Sequence, residues 1–162
     1  MGTDASLLRV LLITEAGSAG VGGWDTASFA WETAGDRAAL VSRLASPPPD
    51  LVLLDCTPPV TDALATLQLV IRRWPDTPVI VLAAPEQQAL LFAALQAGAV
   101  DYALNQTDAL RWLGLRLRVV HARKIAATEQ ARVVQELARQ RTAERLHALN
   151  VAGVAVQQAR QP

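Results

Sequence analysis

The chain has one cysteine, Cys56, which excludes an internal disulfide and any zinc site built from clustered cysteines. It has two histidines, His121 and His147, far apart and without a carboxylate at metal-ligand spacing. No apolar run reaches the ~18 to 20 residues needed to span a bilayer. The N-terminal stretch MGTDASLLRV lacks the basic start and small-residue cleavage site of a secretory signal, and Met1-Gly2 alone is too short a match for myristoylation. The cytoplasm is therefore the expected compartment. Proline is missing from Thr107 to Gln161, and the only glycines there are Gly114 and Gly153. Nothing in that stretch stops a helix.

Charge of either sign is not in excess over the whole chain, since 15 Lys and Arg balance 15 Asp and Glu. The balance hides an asymmetry. Residues 1–106 carry 5 Arg against 11 acids, and residues 107–162 carry 10 Arg and Lys against 4 acids, giving −6 and +6. Two parts with different tasks are implied.

The first two-thirds alternate short apolar runs with helical patterns. Strands are expected at 8–14, 28–33, 50–55, 78–83 and 100–104, the near-continuous apolar runs suiting parallel strands covered on both faces. Helices are expected from Arg37 to Leu44 after the N-cap Asp36, from Thr61 to Trp74, and from Glu86 to Ala97 before the C-cap residue Gly98. Alternating strands and helices predict an α/β fold, a doubly wound five-stranded parallel sheet. Ala16 to Gly23 holds four glycines and predicts a short, distorted or absent first helix. Its glycines lack the Lys-Ser/Thr ending of a phosphate-binding loop and the order of the dinucleotide fingerprint.

From about Asp108 to about Gln158 one helix of ~75 Å is expected. Leu110, Leu113, Leu117 and Val120 should pack on the sheet. Beyond them Ala127, Ala131, Val134 and Ala138 form a thin stripe, and Leu146, Leu149, Gly153 and Val156 form a second one in a different phase. The domains are thus expected at 1–122, an α/β body, and 123–162, a coiled-coil-like extension of the last helix. Arg111, Arg116, Arg118, Arg123 and Lys124 raise nucleic-acid binding, but leucines and Trp112 interleave them, so nucleic acid is not the expected partner.

Ligands of doubly wound sheets sit at the carboxyl ends of the strands. Those ends deliver Thr14 and Glu15, Asp55, Ala83 and Ala84, and Asn105 and Gln106. The stretch Asp50-Leu-Val-Leu-Leu-Asp55-Cys-Thr-Pro-Pro59-Val-Thr-Asp62-Ala63, with Pro78 to Ala84 and Ala97-Gly-Ala-Val-Asp-Tyr102, resembles the response-regulator receiver domain over about residues 8–122. The resemblance implies a flavodoxin-like fold, Asp55 as phosphoacceptor, and Mg²⁺ held by two acids after the first strand together with that aspartate. It also implies a hydroxyl ending the fourth strand and a lysine after the fifth. Here Glu15 is the one acid kept and Thr14 stands at the other acid position. Ala83 stands at the hydroxyl position, Asn105 at the lysine position and Ala63 at the glycine of an Asp-Gly pair.

A two-component signalling module is therefore expected, an atypical receiver that is not an enzyme, works without phosphorylation, and needs no cofactor beyond a weak Mg²⁺ site at Glu15 and Asp55. Its expected partners are a second copy through the C-terminal helix and a sensor or output domain, carried on the same longer chain. The alternatives are a conventional Mg²⁺-dependent receiver phosphorylated on Asp55 and a pseudo-receiver binding a small molecule near Asp55.

Overall fold

The computed structural model describes residues 7–15, 28–57, 62–106 and 111–160. Five strands form one sheet: β1 (Leu8–Ile13), β2 (Phe29–Ala34), β3 (Leu51–Asp55), β4 (Val79–Ala83) and β5 (Asp101–Leu104). All pairings are parallel, in the order β2-β1-β3-β4-β5. The helices are α1 (Arg37–Leu44), α2 (Ala63–Arg73), α3 (Gln88–Gln96) and α4 (Leu113–Gln158). This is the flavodoxin-like doubly wound sheet with a long C-terminal helix that the alternation predicts. The glycine stretch 16–23 and Leu110 lie outside the described residues.

Apart from Arg9 in β1 and Asp55 at the end of β3, the central strands are apolar because alternate residues feed two separate cores. Leu11 and Ile13 of β1, Val52 and Leu54 of β3, and Val79 and Val81 of β4 pack with Leu40 of α1, Leu67 and Val70 of α2 and Leu91 of α3. Their neighbours Val10, Leu12, Leu51, Leu53, Ile80 and Leu82 pack on the other face with Leu113, Leu117 and Val120 of α4. The 3–4 spacing of those three residues puts them on one helix face, which is why the start of α4 docks there.

Local sequence sets the helix ends. Asp36 caps α1, its Oδ1 accepting from the Ala39 N–H at 2.7 Å. Helix α3 ends on Gly98 at φ +114°. There the Gly98 N–H reaches Leu95 O at 3.2 Å and the Ala99 N–H reaches Ala94 O at 3.0 Å, the paired bonds of a Schellman ending. A Cβ at Gly98 would lie 2.9 Å from Ile71 Cδ1, so the position favours glycine for backbone and packing together.

The chain divides into two compact units, Met1–Ala122 and Arg123–Pro162. The second is a single helix as far as Gln158, with no buried residue between Arg123 and Arg160. Among the described residues no helix is long and apolar enough to cross a membrane.

Candidate functional site

The parallel register brings the four strand ends to one edge. Ile13 pairs with Leu54, Asp55 with Leu82, and Ala83 with Leu104. Thr14 and Glu15 therefore follow β1 beside Asp55, the last residue of β3, while Ala83 ends β4 next to the β5 exit at Asn105. Glu15, Asp55, Ala83 and Asn105 thus all lie at this edge, each at or just past the end of its strand.

Asp55 is only 5 % exposed, and its carboxylate is satisfied by neutral donors. Its Oδ1 accepts from the Thr57 N–H at 3.0 Å and from the Thr57 hydroxyl, the two-residue bond of an Asx turn. Its Oδ2 accepts from the Thr14 hydroxyl at 3.3 Å. Among the described residues no cation is paired with it. The hydroxyl that replaces an acid after β1 thus donates to Asp55, where a second carboxylate would have repelled it.

The other side of the edge is poor in chemistry. Ala83 is fully buried and offers a methyl group. Asn105 is exposed, and its backbone N–H is bound to Ala83 O at 2.8 Å. Beside Asp55, burial and then the Asp55 charge push the Cys56 thiol up to about 12. Cys56 is fully buried and therefore a packing residue with no thiolate to offer.

Glu15 is exposed, and it lines with Asp55 a cleft of about 400 Å³ between α1 and α2 that also touches Asp36, Arg37, Asp62 and Arg72. Receiver chemistry calls for Mg²⁺ on several carboxylates at once. Among the described residues no three His, Cys, Asp or Glu side chains gather to hold a metal, and both Asp55 oxygens already accept hydrogen bonds. Among the described residues, Glu15 and Asp55 are the carboxylates from these strand ends, one fewer than the three acids the family uses.

Sequence reasoning missed three side chains here. Thr14 was counted only as a lost acid, yet it donates to Asp55. Thr57 closes the Asx turn, and the pattern Asp55-Cys56-Thr57 could have suggested it. Gln87 bonds both the Ala84 N–H, at 2.7 Å, and Cys56 O, at 2.8 Å, and no short-range pattern reveals the second contact.

The sheet order is that of the flavodoxin-like doubly wound folds, and an aspartate ends its central strand. The sequence profile of the response regulator receiver domain matches residues 25–111, and the chain belongs to that family. It is 42% identical over 60 residues to the uncharacterized transcriptional regulatory protein YhcZ of Bacillus subtilis (strain 168), covering 37% of this chain and 28% of that protein. It is 40% identical over 80 residues to the KDP operon transcriptional regulatory protein KdpE of Escherichia coli (strain K12), covering 49% of this chain and 35% of that one. The chain thus spans about a third or less of these relatives. Among solved structures, the CheY-like receiver domain protein of Methanospirillum hungatei JF-1 superposes with a TM-score of 0.63 at 16% identity, over 75% of this chain and 99% of that one. At that identity the likeness speaks for the fold alone.

Proposed function

We propose that this receiver works without a phosphoryl switch, catalyses no reaction of its own, and relays its signal by protein contact through α4. One observation carries the reading: the edge around Asp55 offers the methyl of Ala83 and the neutral Asn105 where the family uses a hydroxyl and a lysine. Phosphoryl transfer to a carboxylate runs on positioning and on neutralising charge at the equatorial oxygens. Removing one preorganised donor of this kind slows such chemistry by ~10² to 10³, and here two are replaced. The hydrogen bonds from Thr57 and Thr14 to Asp55 support this reading, since they are what a structural carboxylate makes.

Incubation with a small acyl phosphate and Mg²⁺ should leave the intact mass of the chain unchanged. A stable gain of one phosphoryl group, abolished by Asp55→Asn, returns the chain to the conventional class with Glu15 and Asp55 as its metal pair. The cleft beside Asp55 favours one further reading, since about 400 Å³ lies in the range of small-ligand sites. A small molecule that raises the melting temperature, and fails to do so in Arg72→Ala, would establish it.

The relay half of the proposal rests on the second unit. Val134, Leu137, Leu146 and Leu149 are exposed on a helix with no core of its own. Helices in proteins owe most of their stability to packing, so a second copy that covers these side chains supplies what one chain lacks. Truncation at Arg123 should turn a dimer into a monomer by light scattering, and a truncated chain that stays dimeric places the contact on the α/β unit. A sensor or output domain on the same longer chain is the expected far partner of the helix.

A further inference from the structure

The connection from β4 to α3 is held by one side chain. Ala84-Pro85-Glu86-Gln87 forms the turn that leads into α3, and Gln87 is the last residue before the helix. Proline at the second position has no N–H to leave unpaired, an acid follows it, and an amide three residues on reaches back to the Ala84 N–H. The Gln87 N–H also reaches Ala84 O at 3.0 Å, so side chain and backbone close the same turn, and a glutamate would serve the side-chain contact equally. The same carboxamide then donates from Nε2 to Cys56 O at 2.8 Å, 31 residues away and directly after Asp55. The orientation of the amide is forced. The Ala84 N–H can only donate, so Oε1 must face it, and the Cys56 carbonyl can only accept, so Nε2 must face it.

We infer that Gln87 is a clamp that fixes the start of α3 to the peptide following Asp55, holding the α3 face in one position. Cys56 itself cannot shift easily, because its N–H is bound to Leu82 O at 2.7 Å and its side chain is fully buried. The clamp therefore ties the entrance of α3 to the rigid middle of the sheet. Helix α3 carries Phe92, 65 % exposed, and Leu95, so the clamp sets how those side chains are presented. Where a hydroxyl ending β4 would let this connection respond to a group on Asp55, Ala83 contributes only a methyl and Gln87 supplies a permanent tie. The inference goes beyond the function proposed above and does not depend on it: the clamp holds whether or not Asp55 accepts a phosphoryl group.

Two variants of the full chain separate a clamp from a turn closure. Gln87→Glu at neutral pH keeps the acceptor for the Ala84 N–H and loses the donor for Cys56 O. Gln87→Met has nearly the same length and loses both. Amide hydrogen exchange and relaxation dispersion by NMR are the readouts, because loss of a contact that only closes the turn would stay at Ala84 and not spread along α3. In the natural chain, residues 84–92 should show no microsecond–millisecond exchange broadening. In Gln87→Glu the Ala84 amide should stay protected, while broadening appears across the amides of 86–92 and their hydrogen exchange quickens by up to roughly tenfold, the scale of one lost hydrogen bond. In Gln87→Met the Ala84 amide should lose its protection as well. If Gln87→Glu matches the natural chain while Gln87→Met loosens, Gln87 only closes the turn at Ala84 and the inference is overturned. Broadening across 84–92 already present in the natural chain overturns it equally. Neither readout involves phosphorylation, so a phosphoryl group found on Asp55 would defeat the proposed function and leave the clamp standing.

Discussion

Leu117 and Leu149 belong to the same helix and have the same side chain, yet the first is wholly buried and the second is 68 % exposed. In Met1–Ala122 the sequence is bound twice, by strand or helix pattern and by a core on each face of the sheet. In Arg123–Pro162 only helix propensity and a thin stripe remain. A region specified by packing holds its own structure. A region specified by propensity alone leaves its apolar side chains in solvent.

Leu117→Ala should have the largest effect, lowering unfolding free energy by about 2–5 kcal/mol in denaturant melts. Leu149→Ala should change it by less than about 0.5 kcal/mol under dilute, dissociating conditions, and should instead shift the dimer–monomer balance toward monomer in light scattering. Equal losses from the two substitutions under those conditions would erase the distinction between the regions. Gly98→Ala comes next. At φ +114° with Ile71 Cδ1 2.9 Å from the new Cβ, it should destabilise the first unit by about 1–3 kcal/mol and leave association through the second unchanged.

The smallest effect is electrostatic. Burial alone would raise the Asp50 carboxyl, but the hydrogen bonds and charge of Arg9 outweigh it and hold the group below its usual 3.8. Because the folded value is depressed, this contribution is fully present above the usual value and is lost as pH falls through the lower, folded one. The pair is well exposed, at 49% and 33% for the two side chains, so Asp50→Asn should lower stability by under about 1 kcal/mol at neutral pH. The difference should vanish in melts run well below pH 3.8. A difference that persists there would show the neutral Asp50 side chain to be the important partner of Arg9.

The same contrast explains how much was legible in the sequence. The strands were readable to within a residue or two because β1, β3 and β4 are apolar on both faces and are punctuated by Asp50, Pro78 and the turn at Gly98. The site positions Asp55, Ala83 and Asn105 were readable because each is the residue at, or just past, the end of a strand. Their partners were not. The bonds of Thr14 and Gln87 to the end of β3 join residues 41 and 31 positions apart, and such contacts depend on how loops lie over the sheet edge, which no local period encodes. Thr57, two residues from Asp55, was within reach of turn chemistry and was overlooked. The start of the long helix was placed near Asp108, whereas regular helix begins at Leu113 with 107–110 outside the described residues.

On the function proposed above, the replacements at Thr14, Ala83 and Asn105 keep Asp55 from taking a phosphoryl group. The direct test sets the natural chain beside a variant carrying Thr14→Asp, Ala83→Thr and Asn105→Lys, both treated with a small acyl phosphate and Mg²⁺ and weighed intact. The account predicts one phosphoryl group on the variant, lost again when Asp55→Asn is added, and none on the natural chain. Phosphorylation of the natural chain to the same extent as the variant would contradict it.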